Sequence, residues 1–216
     1  MLVEATTLIK LIAIVAILMA MLMAVEMARG RIEGAGYWCV GMLMLGLGAG
    51  MVSQRYNLDV LFSLVASMSL VSAGLGMLLL AINRVLQKPL KLAWLVVPVI
   101  LMAINQWLYL DDYMRRVMGA SLILGGLFFT LGVIVLIAEG NPLNQERVIL
   151  LMVSLIPGVL YLLRFLIIAL TQGAEYYVLW NSPLQLMSFY AVLLFLPLAS
   201  YSYYFILRRY HMSITA

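Results

Sequence analysis

Seven long runs of apolar residues, separated by short polar connections, account for nearly the whole chain. They fall at about 6–28, 37–53, 58–82, 90–110, 113–138, 148–170 and 184–207. A hydrocarbon core about 30 Å thick takes roughly 20 residues of α-helix to cross, so each run reads as a membrane-spanning helix. Barrel strands would alternate apolar and polar positions, whereas these runs are continuous and rich in Leu and Met. Each connection carries turn chemistry: Arg29-Gly30-Arg31, residues 54–57, Gln87-Lys88-Pro89, Gly140-Asn141-Pro142 and Asn181-Ser182-Pro183. The expectation is one all-α, polytopic domain over residues 1–216, a single bundle of seven transmembrane helices.

Composition points the same way. Of 216 residues, 66% are hydrophobic and 10% charged, with a mean hydropathy of +1.10. A soluble domain holds about 45–50% apolar and about 25% charged residues. The formal charge of +4 does not indicate nucleic acid, because the basic residues fall at span ends. There they act as topology signals and headgroup contacts. The single cysteine, Cys39, excludes an intramolecular disulfide and a cysteine metal cluster, and reads as a packing residue. The first run is too long for a removable signal peptide and lacks a basic n-region and cleavage site, so it is expected to be a retained helix.

Seven spans place the termini on opposite sides. One set of ends carries Arg29, Arg31, Arg84, Lys88, Lys91, Arg147, Arg208 and Arg209; the other carries Lys10, Arg55, Arg115 and Arg116. The positive-inside rule assigns the richer set to the cytoplasm, with the N-terminus outside and the C-terminus inside. Trp107, Tyr109, Tyr113, Tyr176, Tyr177 and Trp180 then form an outer aromatic belt, and Tyr201, Tyr203, Tyr204 and Tyr210 an inner one. The 171–183 connection, with Glu175 beside two tyrosines, is either a lid or an interfacial re-entry.

Arg164 breaks the lipid rules. It lies about six residues, roughly 9 Å, inside the outer end of span six. A central Arg costs about 2.5–3.5 kcal/mol on insertion scales, less where it can snorkel. Ser154, Pro157, Tyr161 and Arg164 recur at spacings of three and four, so they share one helix face directed into the bundle. Pro157-Gly158 frees backbone carbonyls and kinks that helix. Asn105, Gln106, Ser63, Ser67, Gln185, Ser188 and Lys10 lie at a similar depth in other spans. Together with Tyr161 they could line an outward cavity with a positive floor for a small polar or anionic ligand, with Asp111 and Asp112 at its rim. The alternative is that Arg164 snorkels outward, or bonds Gln106 or a carbonyl, and only fixes helix order.

Glycines concentrate at Gly41, Gly46, Gly48 and Gly50 in span two, and at Gly119, Gly125, Gly126 and Gly132 in span five. Gly46/Gly50 and Ser72/Gly76 are small-xxx-small pairs, which serve close packing within the bundle or a homodimer seam. Catalytic patterns are missing: His211 is the single histidine and lies in the tail, and there is no HExxH or P-loop. No enzyme activity and no cofactor are expected. Proton-coupled transport needs buried carboxylates near the midplane, and the spans offer none.

The segments Gly36-Tyr37-Trp38, the glycine-rich GMLMLGLGAG, Arg55, and LFSLVASMSLVSAGLGMLLLAINRVLQKP form a familiar series, as does Tyr161-Leu162-Leu163-Arg164. The chain resembles the seven-helix membrane sensor module that precedes GGDEF-type diguanylate cyclases in bacteria. The resemblance covers the whole chain in helix count and loop lengths. An Asn expected within helix three is replaced by Ala66-Ser67, and no GGDEF motif follows Arg208-Arg209. Cyclase activity is therefore not implied. What the resemblance implies is a sensor-like bundle in a bacterial cytoplasmic (inner) membrane.

The expected function is a membrane-embedded sensory or ligand-binding module. Its signal would pass through helix seven, with Pro197 as hinge, to a cytoplasmic output protein. A structural or assembly subunit of a larger membrane complex is the alternative, and a small transporter or channel the third. The partners are the lipid bilayer, the ligand, and an output or membrane-complex protein, without nucleic acid.

Overall fold

The computed structural model describes residues 2–29, 34–55, 57–86, 92–137, 145–171 and 183–215. The connection holding Glu175, Tyr176, Tyr177 and Trp180, and the turn residues Gly30, Arg31, Gln87 to Pro89, Gly140 to Pro142, Asn181 and Ser182, lie outside them.

Long apolar runs become helices whose backbone groups are satisfied internally, as lipid requires, and three of them continue through a proline, Pro98, Pro157 or Pro197. Among the described residues seven helices form: α1 (Leu2–Arg29), α2 (Ala35–Ser53), α3 (Ser67–Val85, led by a π-helical turn Leu61–Ala66), α4 (Ala93–Leu108), α5 (Tyr113–Ile137), α6 (Gln145–Leu170) and α7 (Pro183–Thr215). No strand occurs among the described residues. Six of the helices are long and apolar enough to cross a membrane, which makes this a multi-pass membrane protein by helix length and composition. The exception is α4, with 16 residues. At 1.5 Å per residue that is about 24 Å, short of the roughly 30 Å core.

Asp residues start two helices. Asp59 accepts from the Leu61 N–H at 2.9 Å, and Asp112 from the Arg115 N–H at 3.0 Å, satisfying first-turn donors. In the π turn the Ser67 N–H reaches the Phe62 carbonyl rather than that of Ser63. The Ser67 hydroxyl takes up the Ser63 carbonyl instead, at 2.6 Å. α7 continues beyond the expected Leu207 because no Gly or Pro follows Pro197.

Each helix packs on its chain neighbour, and α7 closes the ring on α1. Without a hydrophobic drive inside lipid, small residues decide where helices meet. Gly41 and Gly74 sit face to face between α2 and α3: a Cβ on Gly74 would stand 2.7 Å from the Gly41 carbonyl oxygen. Gly48 lies equally close to the Ser67 carbonyl, while Gly46 meets Ile17 and the Ala13 carbonyl on α1. The glycines of α2 are thus used within the bundle. Cys39 is buried there and donates to the Ala20 carbonyl of α1 at 3.3 Å.

At the end of the bundle where α1 finishes, a cluster joins α7 to α2 and α3. The Trp38 indole N–H donates to Ser200 Oγ at 3.1 Å, and the Trp38 and Tyr203 rings stack with centroids 4.0 Å apart. Tyr203 Oη donates to the Ala81 carbonyl at 3.4 Å and lies against Gly34. Gly34 has φ +95°, a left-handed conformation that a Cβ would strain, and a Cβ there would also meet the Tyr203 hydroxyl at 2.8 Å. On the same end Arg209 pairs with Glu146 of α6 at 2.8 Å.

Candidate functional site: a central cavity below three arginines

At the opposite end, where α1 begins, the helices line a partly open cavity of about 170 Å³. All seven helices and the π turn contribute to its wall. Arg55 just beyond α2, Gln106 near the end of α4, Tyr113 and Arg116 at the start of α5, Gln185 at the start of α7, and Tyr161 and Arg164 within α6 line it. Beyond them the wall is apolar, with Leu45 and Leu75 from α2 and α3, Leu124 and Phe128 from α5, and Phe189, Phe195 and Leu196 from α7.

The α6 face read from the sequence is the face that points inward. Ser154, Pro157, Tyr161 and Arg164 are all buried. The Ser154 hydroxyl turns back to the Leu150 carbonyl at 2.6 Å, and Gly158 lets α6 approach the Phe129 backbone of α5. Tyr161 stacks over Phe128, with ring centroids 6.1 Å apart, and Phe128 meets Phe195 edge-on at 5.0 Å. This aromatic column connects α6, α5 and α7 along the cavity.

Arg164 is 8% exposed, and among the described residues nothing hydrogen-bonds or ion-pairs with its guanidinium. A charge held away from water without a partner is costly, and an anion beside it would offset that cost. Arg116 is half-buried; it donates to the Leu110 carbonyl at 2.6 Å and lies over the Tyr113 ring at 5.6 Å. No Asp or Glu lines the cavity among the described residues. Planar guanidinium forks match carboxylate and phosphate oxygens.

Four of the eight residues expected at the site line the cavity: Arg164, Tyr161, Gln106 and Gln185. The other four stand elsewhere. Asn105 donates from Nδ2 to the Arg116 carbonyl at 2.9 Å and seats against Gly119, tying α4 to α5. The Ser67 and Ser63 hydroxyls are spent on the backbone carbonyls of Ser63 and Val60. Lys10 is exposed. Sequence reasoning missed Arg55 and Arg116 as cavity residues, having read both as charges at span ends. It also expected polar walls, where most of the surface is apolar. The arrangement suits binding, and no cluster of three or more metal-ligating His, Cys, Asp or Glu side chains occurs among the described residues.

Comparison of the chain with protein-family models, with curated proteins and with solved structures finds no match.

Proposed function

We propose that the protein is a membrane sensory module whose ligand enters the seven-helix cavity and whose response leaves through α7. The observation that carries this reading is Arg164, buried and lacking a counter-charge among the described residues, on the wall of a cavity that every helix helps to build.

The route to the output follows from α7. Before Pro197 it gives Gln185, Phe189, Val192, Phe195 and Leu196 to the cavity wall. After Pro197 it gives Ser200 and Tyr203 to the cluster on Trp38 and Ala81. Proline removes one ladder bond inside a helix, so the two halves can tilt with respect to one another. A ligand that binds one tilt better than the other shifts the population toward it. In this reading the N-terminus is outside, the bundle spans the inner membrane of a bacterium seven times, and Arg208-Arg209 faces a cytoplasmic output protein. The resemblance to cyclase-linked sensor modules leads the same way.

An assembly subunit would need small-residue seams left open to a partner, whereas the α2 glycines face α1 and α3. A proton-coupled carrier would need an intramembrane carboxylate, and no Asp or Glu is buried among the described residues.

The test is a spin-label distance between Leu92→Cys and Arg208→Cys in a Cys39→Ala background, reconstituted in lipid nanodiscs. Anionic extracts of the native membrane should move the distance distribution, and Arg164→Gln should abolish that shift. A distribution that ignores every extract would overturn the sensor reading.

A further inference from the structure

The cavity has a polar, cationic end and a long apolar remainder, and both are too well formed for a small hydrophilic solute. Along α5 the lining passes from Arg116 through Ala120 and Leu124 to Phe128. Twelve residues at 1.5 Å each make a depth of about 18 Å. Along α7 it passes from Gln185 to Leu196, about 16 Å by the same measure. Half of a hydrocarbon core about 30 Å thick is roughly 15 Å, the span of one leaflet's chains. The lining residues therefore extend over about the depth of one leaflet.

Its width selects further. A dry apolar cavity of about 150 Å³ takes up benzene. A similar volume, about 170 Å³, seats the first several carbons of one unbranched chain and excludes a diacyl lipid. A free phosphate or sugar would satisfy the arginines but leave the apolar walls facing an unfilled space. A neutral alkane or sterol would fill the walls and leave Arg164 buried without a counter-charge.

Resting on the sensory reading above, we propose that the ligand is a single-chain acidic amphiphile: one apolar chain in the slot, and one carboxylate or phosphate head at Arg164. Arg116 and Arg55 also line the cavity and bring further basic groups to it. Tyr161, Gln106 and Gln185 line it as well. The head chemistry is shared by free fatty acids and by lysophospholipid acids shed from the bilayer.

The experiment is native mass spectrometry of the full chain in a neutral detergent, with four probes: oleate, oleoyl lysophosphatidate, oleyl alcohol and inorganic phosphate. One acid per chain is expected, with oleyl alcohol weaker by about tenfold or more and phosphate absent, since losing a charge-assisted contact costs at least that. Oleate alone points to a fatty acid, lysophosphatidate alone to a bilayer-derived acid, and either supports the proposal. Equal binding of oleyl alcohol and oleate overturns the head assignment. Phosphate bound as tightly as the acids, or none of the four bound, overturns the amphiphile. These comparisons use the unaltered protein, so they hold whatever a variant does to folding. Arg164→Gln should bring oleate down to the level of oleyl alcohol, and Leu124→Trp, which fills the slot, should remove both. The spin-label distance separates the two claims. Acid binding without movement of α7 upholds this ligand and defeats the sensor; movement caused by another solute does the reverse.

Discussion

Replacing Arg164 with methionine should make the ligand-free protein more stable while ending its response to acids. The guanidinium is buried and, among the described residues, has no hydrogen bond or ion pair to lose. Insertion scales put Arg at about +2.5–3.5 kcal/mol at a helix centre and large apolar side chains slightly below zero. Six residues separate Arg164 from Leu170, the last residue of α6, which is about 9 Å of depth, so partial solvation relieves part of that cost. Taking roughly half gives a gain of about 1–2 kcal/mol for the variant. In a chain of this size each kcal/mol moves the melting temperature by about 2–4 °C, so the rise should be about 2–8 °C. The assay is thermal unfolding of purified, delipidated protein in neutral detergent, with and without oleate. At a hundredfold excess over Kd, a ligand adds about 2.7 kcal/mol to the unaltered protein and should add nothing to Arg164→Met. If Arg164 instead fixed helix order, its loss would strand buried partners and cost about 1–3 kcal/mol, reversing the sign. A variant that melts below the parent, and still gains from oleate, would refute the reasoning.

Two further outcomes test the scaffold. Gly74→Ala sets a Cβ 2.7 Å from the Gly41 carbonyl oxygen and 2.9 Å from the Leu45 amide nitrogen, while Gly126→Ala on α5 meets nothing within 4 Å. Overpacking against backbone should cost about 2–3 kcal/mol, whereas the open site gains up to about 1 kcal/mol of helix propensity, and matched melting curves giving equal shifts would contradict the α2–α3 seam. Trp38→Phe and Ser200→Ala each strand one buried partner of the 3.1 Å bond and should cost about 1–3 kcal/mol; a double-mutant cycle should show coupling near 1 kcal/mol, and strict additivity would deny the contact.

How much of the fold was legible follows from what hydropathy measures. It locates the stretch of chain that tolerates lipid, and the existence and order of the helices followed from that. It does not locate helix ends. α7 runs to Thr215 and α1 starts at Leu2 because no Gly or Pro stops them, although the apolar character fades earlier. α4 shows the opposite case: Tyr109 leaves helical geometry, with φ −115° and ψ 35°, although the apolar run continues to Leu110. The π turn at Leu61–Ala66 was invisible, since its signal is a shifted hydrogen-bond ladder taken up by the Ser67 hydroxyl. Nothing in the order of apolar residues encodes that shift.

The site was half legible for a related reason. Periodicity fixes which residues of one helix share a face, and so Ser154, Pro157, Tyr161 and Arg164 were placed together and inward. Depth alone does not fix rotation. Asn105 and Gln106 lie at one level but point about 100° apart, at 3.6 residues per turn. One bonds the α5 backbone and the other lines the cavity. Arg55 and Arg116 exposed the opposite limit. A basic residue at a helix end carries the same signal whether it meets headgroups or overhangs a cavity, and only the closing of α7 on α1 makes the difference. That closure also changes the chemistry of the ligand. With polar residues considered alone, the arginine suggested a small anion; with the apolar wall below it, the ligand we propose carries a chain as well as an anionic head. The charge states what must be neutralised, and the depth beneath it states what must come attached.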